Sequence, residues 1–323
     1  MARCMSRDLT LTIGRYDRIL PLETGEVTVD GVDLTIDHDR PGRLFQRVTG
    51  VDADERFELT EMSLSTLVLW TARGDCPYVG IPVFPSRYFR HGMIFVNDDA
   101  GIEEPEDLRG ATVGIFTEYQ MTMATTIRGI LQDDYDVRPE EVTWVTAREE
   151  KIPLDLPEGV DVTVADDDLH DMLDRGDLDA LFTYKPPAVL GDGVSRLFPD
   201  FKAVEKDYYE RRDVFPIMHT VVLHEDLYAE APAVATALYD AMVRAKDLVL
   251  ERLYNPGTHA VSLPWLLEYV EETRETFGED FWPYGIEANR AELEALTRFS
   301  SEQGLSDRRV DPEEPFVPEL RDT

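Results

Sequence analysis

The chain has 323 residues, with 32 basic and 66 acidic side chains and a formal net charge of −34. Hydrophobic residues make up 43% of it, which is enough for ordinary globular cores and argues against disorder. At roughly 100–200 residues per domain, this length predicts two domains. The negative charge excludes nucleic acid and anionic membranes as partners, because both would be repelled by such a surface.

The acidic residues are spread along the chain, as in Asp166-Asp167-Asp168, rather than gathered in one tail. Repulsion between so many charges is tolerable where salt screens them within about 3 Å, as at 1 M. We therefore expect a halophilic protein, with an acidic protein of an ordinary habitat as the alternative. The first residues lack the apolar region of a signal peptide, and Cys4 and Cys76 make no disulfide framework, so we expect a cytoplasmic location.

Apolar periodicity and turn signals predict the elements in chain order. Strands are expected at 9–13, 32–36, 57–60, 78–83, 92–96, 111–116, 142–145, 160–164, 179–183 and 217–223. Helices are expected at 43–48, 64–73, 105–108, 117–132 and 169–174, then from Pro232 onward, at 265–277 and at 287–302. The capping-box spacing of Thr117 and Gln120 predicts one helix start. The segment 311–315 is expected to be poorly ordered or to lie on the surface.

The alternation of strands and helices predicts an α/β fold with mostly parallel sheets, and the pattern restarts after Asn97. Two lobes facing a cleft are the natural architecture. No membrane-spanning run of about 20 apolar residues is present.

Several common site motifs are absent from the sequence. It has no Gly-x-Ser-x-Gly elbow, no phosphate loop and no Gly-x-Gly-x-x-Gly fingerprint. The six histidines form no His-x-His or His-Glu-x-x-His pair. We therefore expect no dedicated metal site and no cofactor, although a composite site for a divalent metal stays open.

Two segments of the first half could bind an anion. Arg15, Tyr16 and Arg18 follow the first predicted strand, where α/β sheets place ligands, and could hold a carboxylate. The alternative is a solvated turn. Ser63, with Glu61 and Ser65 beside it, stands at a strand-to-helix junction whose free N–H groups favour an anion, or it is an ordinary helix cap.

A basic cluster follows the next strand end. Ser86, Arg87, Arg90 and His91 lie within six residues, which places cations beside a group that can transfer a proton. In so acidic a chain we interpret this cluster as functional rather than as a surface loop.

Three further signals lie in the second half of the pattern. Tyr119 and Gln120 stand at a predicted helix start, where plain capping is the alternative. Lys151 and His219 are isolated signals, and each is more often structural when taken alone.

Together these segments resemble the 4,5-dihydroxyphthalate decarboxylase family, and the matching stretches run nearly end to end. They include Tyr16-Asp17-Arg18, Glu61-Met62-Ser63-Leu64-Ser65, Ile81-Pro82-Val83-Phe84-Pro85-Ser86-Arg87, Phe89-Arg90-His91, Glu118-Tyr119-Gln120-Met121-Thr122, Glu150-Lys151-Ile152-Pro153, Phe215-Pro216-Ile217-Met218-His219 and Phe277-Gly278-Glu279-Asp280-Phe281-Trp282-Pro283-Tyr284-Gly285. The stretch Thr183-Tyr184-Lys185-Pro186-Pro187 departs from the family pattern, on the second-lobe side of the expected pocket.

The resemblance implies a two-lobed fold of the type II periplasmic-binding-protein superfamily. Its first lobe would comprise 1–97 and 219–323, and its second lobe 98–218. The implied partner is a small aromatic diacid, and the sequence leaves the oligomeric state open, including a homo-oligomer.

The implied reaction converts 4,5-dihydroxyphthalate to 3,4-dihydroxybenzoate and CO2, with the ring itself as electron sink. Such a site needs cations, a base for the phenol and an acid for the ring carbon. The resemblance suggests that Arg15, Arg87 and Arg90 bind the carboxylates. His91 would be the general acid, with His219 in reserve.

In the same reading, Glu61 or Asp17 would take the phenolic proton and Tyr119 would orient the ring. Other expected contacts to substrate are Tyr16, Ser63, Ser65, Ser86, Gln120 and Lys151. Three alternatives remain at this point: a solute-binding protein of a transporter, another small-molecule enzyme of the same fold, and a metal-assisted decarboxylase using His91, Glu61 and His219.

Overall fold

The computed structural model describes residues 6–49, 56–188, 190–255 and 257–323, so the prediction concerning Cys4 lies outside the described residues. The strands in these ranges are β1 (Arg7–Ile13), β2 (Val32–His38), β3 (Leu59–Ser63), β4 (Tyr78–Arg87), β5 (Ile94–Asn97), β6 (Thr112–Ile115), β7 (Thr143–Thr146), β8 (Asp161–Val164), β9 (Ala180–Phe182), β10 (Val194–Arg196) and β11 (Ile217–His224). The helices are α1 (Leu20–Glu23), α2 (Pro41–Thr49), α3 (Leu64–Arg73), α4 (Thr122–Tyr135), α5 (Leu169–Arg175), α6 (Phe201–Arg212), α7 (Glu225–Glu230), α8 (Ala233–Leu253), α9 (Leu266–Phe277) and α10 (Arg290–Glu302).

The first sheet has the strand order β2-β1-β3-β11-β4. Strand β1 is parallel to both of its neighbours, and β11 returns from late in the chain to pair antiparallel with β3 and β4. This return places His219 opposite Ser63 on one side and opposite Ser86 on the other. Three segments far apart in sequence therefore meet at one place in the sheet.

The second sheet has the order β10-β5-β9-β6-β7-β8, with β6, β7, β8 and β9 parallel. Strand β5 pairs antiparallel with β9 and β10, so it belongs to this sheet although the predicted first lobe runs to residue 97. The predicted division of the chain into lobes otherwise stays a prediction.

Most elements follow from local sequence pattern. On α8, Val234, Leu238, Ala241, Ala245 and Val249 recur at helical spacing and are all buried, as the pattern predicts. Burying a side chain of leucine size stabilises the fold by roughly 1.5–3 kcal/mol. The sequence analysis missed β10, α1, α6 and α7, because α6 and α7 are mostly polar and β10 and α1 are short.

Two local predictions are wrong. Helix α4 begins at Thr122, and its N-cap residue, Met121, makes no side-chain cap. The predicted capping box does not form, because the N–H groups of Tyr119 and Gln120 donate to the Glu150 carboxylate. Of the two expectations for 311–315, poor order is wrong and a surface position holds: Asp311 is exposed, while the Gly80 N–H donates to the Pro315 carbonyl at 2.8 Å and the Phe316 that follows is fully buried.

Helices α4 and α10 pack closely against each other. Gly129 of α4 lies against the Phe299 ring of α10, at a distance where a Cβ would overlap the ring. No helix in the described ranges is both long and apolar enough to cross a membrane.

Candidate active site

A cavity of about 530 Å³ is lined by segments that belong to both sheets. Ser86 and His219 come from strands of the first sheet, whereas Thr117, Arg148 and Lys151 follow strands of the second. Small-molecule sites have volumes of roughly 300–1,000 Å³, so one substituted aromatic ring fits here.

Glu61 lies immediately behind this cavity and is fully buried. Its Oε2 accepts the Gly14 N–H at 2.7 Å, and its Oε1 accepts the Tyr16 hydroxyl at 2.6 Å. The Nδ1 of His219 lies 2.5 Å from the same Oε1. Burial and the adjacent carboxylate raise the pKa of Tyr16, so its hydroxyl stays a donor.

These contacts fix the orientation of the His219 ring. An ionised carboxylate only accepts hydrogen bonds, so Nδ1 carries the proton that is donated to Glu61. The other nitrogen, Nε2, is then an acceptor in the neutral ring, and the His219 side chain lines the cavity. The Phe45 ring packs edge-on against the imidazole at 4.7 Å and limits its rotation.

Arg90 supplies a cation to the cavity wall. Its side chain is buried, its Nε donates to the Met218 Sδ at 3.2 Å, and its guanidinium lies 5.1 Å from the centre of the Tyr88 ring. Burial lowers the pKa of Arg90 to about 10, which leaves it charged at neutral pH. Within the described ranges no carboxylate lies within ion-pair distance of it, so its donors are available to an anionic ligand.

A second cationic group lies on the segment after β7. The Lys151 Nζ is 3.2 Å from the Glu118 Oε1, and Arg148 approaches the same oxygen at 3.8 Å. Glu118 is almost fully buried, and all three side chains line the cavity. With Arg40 and Arg90, the lining as described from residues 6–49, 56–188, 190–255 and 257–323 has four cationic side chains and this one carboxylate.

Ser63, Ser65 and Gln120 link the first sheet to α4 instead of lining the cavity. The Ser63 and Thr122 hydroxyls are 2.8 Å apart, and the Ser65 hydroxyl donates to the Gln120 carbonyl at 2.8 Å. The Gln120 side chain accepts the Thr66 hydroxyl at 3.3 Å. Ser63 makes no side-chain cap for α3, so its predicted capping role is wrong.

Arg15 and Asp17 are exposed side chains outside the cavity lining. The Asp17 carboxylate pairs with Arg18, whose NH1 lies 2.7 Å away. Neither side chain belongs to the described lining of the cavity.

Arg87 is buried but points away from the cavity. It donates to the carbonyls of Phe215 and Pro283, at 3.1 and 2.8 Å, and to the side chain of Asn289. Because successive side chains of a strand face opposite sides, Ser86 lines the cavity whereas Arg87 does not. The geometry thus assigns Arg87 to fixing the C-terminal segment, not to binding a carboxylate.

His91 also lies outside the cavity lining. Its ring is enclosed by Phe198 and Tyr208, whose ring centres lie 5.3 and 5.1 Å away, and neither ring nitrogen has a hydrogen-bond partner among the residues that the structure describes. Burial lowers the pKa of His91 to about 4, so the ring is neutral at pH 7. The predicted general acid is therefore in the wrong place and the wrong protonation state.

Tyr119 is a core residue beside the second sheet. Its ring lies beneath the buried Arg128 guanidinium at 3.6 Å and packs against Trp144. It does not reach the cavity and cannot orient a ligand there.

Sequence reasoning missed part of the lining. Arg40, Arg148 and Tyr88 are isolated in loops or at element ends, where a single residue gives no pattern. Tyr184 also lines the cavity, and it belongs to the Thr183–Pro187 stretch that departs from the family pattern. That departure could therefore have indicated a lining residue.

In the described part of the chain, no group of three or more His, Cys, Asp or Glu side chains is arranged to hold a metal ion. A metal-assisted decarboxylase was expected to bind its metal through His91, Glu61 and His219. These three side chains do not lie together, because His91 is enclosed among aromatic rings away from Glu61 and His219.

No protein-family model matches the chain. It is 36% identical over 321 residues to a 4,5-dihydroxyphthalate decarboxylase of Comamonas testosteroni, with 96% of each chain covered. It is 39% identical over 213 residues to the enzyme of that name from Pseudomonas putida, covering 62% of this chain and 81% of the relative.

Solved structures with the same fold include two kinds of protein. The periplasmic aliphatic sulphonate binding protein SsuA of Escherichia coli matches with a TM-score of 0.54 at 13% identity, covering 98% of this chain and 99% of SsuA. A mutant of the desulfurization enzyme DSZB in complex with biphenyl-2-sulfinic acid matches with a TM-score of 0.51 at 18% identity, covering 98% of both chains. The predicted periplasmic-binding-protein-like fold is confirmed.

Proposed function

The chain belongs to the 4,5-dihydroxyphthalate decarboxylase family, and from this premise we propose that it converts 4,5-dihydroxyphthalate to 3,4-dihydroxybenzoate and CO2. It is then a carboxy-lyase acting in the breakdown of an aromatic compound. The reaction is non-oxidative, because the ring holds the electron pair that the departing carboxylate leaves behind.

The observation that carries this proposal is the charge of the cavity. The whole chain has a net charge of −34, yet among the described side chains that line the cavity four are cationic and only one is a carboxylate. Charge-assisted hydrogen bonds from guanidinium groups to a carboxylate are about twice as strong as neutral ones. Such a lining suits a dianionic aromatic acid.

The base of the reaction is His219. Its Nε2 accepts the phenolic proton, and Glu61 stabilises the imidazolium that forms because its Oε1 lies 2.5 Å from Nδ1. Glu61 therefore acts through His219 and does not itself touch the phenol. The phenolate charge spreads to the ring carbon para to it, which carries the departing carboxylate.

The remaining carboxylate binds to Arg90, whose guanidinium has no carboxylate partner in the described ranges. Protonation of the para carbon interrupts aromaticity, and loss of CO2 restores it. The imidazolium of His219 then returns its proton to the phenolic oxygen, so the base is regenerated in each cycle.

The test is to incubate the purified chain with 4,5-dihydroxyphthalate in molar KCl and to measure 3,4-dihydroxybenzoate by chromatography, beside the His219→Gln variant. We expect product from the wild type and at least ~100-fold less from the variant, the low end for a general base. A wild type that gains thermal stability from the diacid but forms no product would instead support a solute-binding role. Without either effect, a different substrate for this fold becomes the better account.

The acidic surface supports a further part of this proposal, a high-salt cytoplasm as the working environment. The chain has only five lysines, Lys151, Lys185, Lys202, Lys206 and Lys246, and its acidic residues are spread along the sequence. Screening by molar salt removes most of the repulsion between them.

A further inference from the structure

We propose that Lys151 is the acid that protonates the ring carbon from which CO2 departs. This inference rests on the proposed decarboxylation and adds the proton donor that His219 cannot supply. A reaction that removes a phenolic proton and adds a proton at carbon needs two separate groups while the base holds the first proton.

The orientation of His219 leaves this second role unfilled. With Nδ1 donating to Glu61, the neutral ring offers only the Nε2 acceptor to the cavity. His91, the other histidine expected at the site, is enclosed by Phe198 and Tyr208 and lies outside the lining. The donor must therefore come from another residue of the lining.

The cations of the lining differ in what they can donate. Arg40, Arg90 and Arg148 carry guanidinium groups, which bind anions but do not release a proton in proteins. Lys151 carries an ammonium group, whose proton can be transferred. It is thus the cationic side chain of the described lining suited to both attracting the diacid and protonating it.

The position of the Lys151 ammonium group in the cavity wall is also restricted by its surroundings. Its Nζ lies 3.2 Å from the Glu118 Oε1, and only 16% of its side chain is exposed. Glu118 is itself 3% exposed at the side chain, so the carboxylate cannot move into solvent and take the ammonium with it. Tyr88 and Tyr184, the phenolic side chains of the described lining, are about half exposed.

The geometry gives each proton transfer its own pair of side chains. Glu61 and His219 belong to β3 and β11 of the first sheet, whereas Glu118 and Lys151 lie after β6 and β7 of the second. A ring lying in the cavity can present its hydroxyl to the first pair and the para carbon to the second. Each pair consists of a buried carboxylate and a proton-transferring group beside it: His219 is hydrogen-bonded to Glu61, and Lys151 lies within ion-pair distance of Glu118.

The steps balance in atoms and electrons. The phenolic O–H bond breaks as its proton moves to His219 Nε2, and the freed electron pair enters the ring. An N–H bond of Lys151 breaks as a C–H bond forms at the para carbon. The C–C bond to the carboxylate then breaks, CO2 leaves, and its electron pair restores the ring and the phenolate. His219 returns its proton to that oxygen, and Lys151 takes one proton from water. The hydroxide that remains carries the negative charge that the carboxylate loses when it leaves as neutral CO2.

The first test is Lys151→Arg, which keeps the positive charge and the Glu118 partner but cannot donate at neutral pH. We expect the dissociation constant of the diacid to change little and kcat to fall at least ~100-fold. If Lys151 only binds substrate, the arginine will retain kcat, and the inference is overturned. Lys185→Arg is the control, because Lys185 is exposed and outside the lining.

A second test separates this step from the one before it. Ultraviolet difference spectra of bound 4,5-dihydroxyphthalate report its phenolate, which Lys151→Arg should still form and His219→Gln should not. Added methylamine should restore kcat to Lys151→Ala by at least ~10-fold while leaving Lys151→Arg inactive. No rescue, together with a kcat loss of the same size in Tyr184→Phe or Tyr88→Phe, would assign the acid to that tyrosine and overturn the inference. A wild type that makes no product would instead contradict the proposed function.

Discussion

The replacement Glu61→Gln removes one charge from the interior and changes which nitrogen of His219 is protonated. Glu61 accepts three donors: the Gly14 N–H at 2.7 Å, the Tyr16 hydroxyl at 2.6 Å and the His219 Nδ1 at 2.5 Å. A glutamine has one accepting oxygen and one donating NH2 group. If the oxygen keeps the Gly14 N–H, the NH2 group faces His219.

That arrangement makes His219 Nδ1 an acceptor and moves the ring proton to Nε2, where the base must be unprotonated. The opposite amide orientation leaves the NH2 group against the Gly14 N–H, at a cost of about 1–3 kcal/mol for a buried unsatisfied donor. Losing a charge-assisted hydrogen bond to the imidazolium costs roughly 1.5–3 kcal/mol. At 1.36 kcal/mol per tenfold, the two effects together lower kcat by at least ~70-fold.

The assay is the initial rate of 3,4-dihydroxybenzoate formation, with the dissociation constant of the diacid measured separately. Glu23→Gln is the matched control, because Glu23 pairs with the Nε2 of His38 at 3.1 Å outside the cavity lining. A folded Glu61→Gln variant with wild-type kcat would refute the assignment of His219 as an oriented base.

Four other results are expected. Arg90→Met should weaken diacid binding by roughly 10–100-fold, since a hydrogen bond to a charged group contributes about 1.5–3 kcal/mol. Arg87→Met should lower Tm and leave binding unchanged, and the reverse pattern would exchange the two roles. Burial raises the pKa of Glu292 from 4.5 to about 7, so its carboxyl holds a proton more tightly when folded, and this stability is lost as pH rises between those values. The Tm of Glu292→Gln relative to wild type should therefore increase from pH 4.5 to 7, whereas a constant difference would argue against the buried, protonated carboxyl. Finally, raising KCl from 0.1 to 2 M should raise Tm by at least about 2 °C, the effect of roughly 1 kcal/mol on a chain of this size, and an unchanged Tm would count against a halophilic protein.

Local pattern predicted the elements well because each buried strand and helix carries its own periodicity. The alternation of side chains along a strand explains why Arg87 was wrongly expected to bind a carboxylate. Ser86 and Arg87 are adjacent on β4 and face opposite sides of the sheet, yet the sequence does not say which side faces the cavity. The partners that settle the matter, Pro283 and Asn289, lie about 200 residues further along the chain.

Three of the predicted site residues lie together on neighbouring strands of the first sheet. Glu61 is the central residue of β3, Ser86 is the last residue but one of β4, and His219 lies on β11, which pairs between those two strands. Resemblance placed Lys151 and Arg90 among the substrate contacts, and both line the cavity. Arg148 and Tyr184 lie in loops, whose direction depends on packing that no local pattern encodes.

The most direct measurement is a proton NMR spectrum of 4,5-dihydroxyphthalate incubated with the purified chain in buffered D2O and KCl. The account predicts 3,4-dihydroxybenzoate with one deuterium at the carbon that lost its carboxylate, together with CO2. A diacid that binds and raises Tm but remains unchanged, with no product in the spectrum, would contradict the decarboxylation.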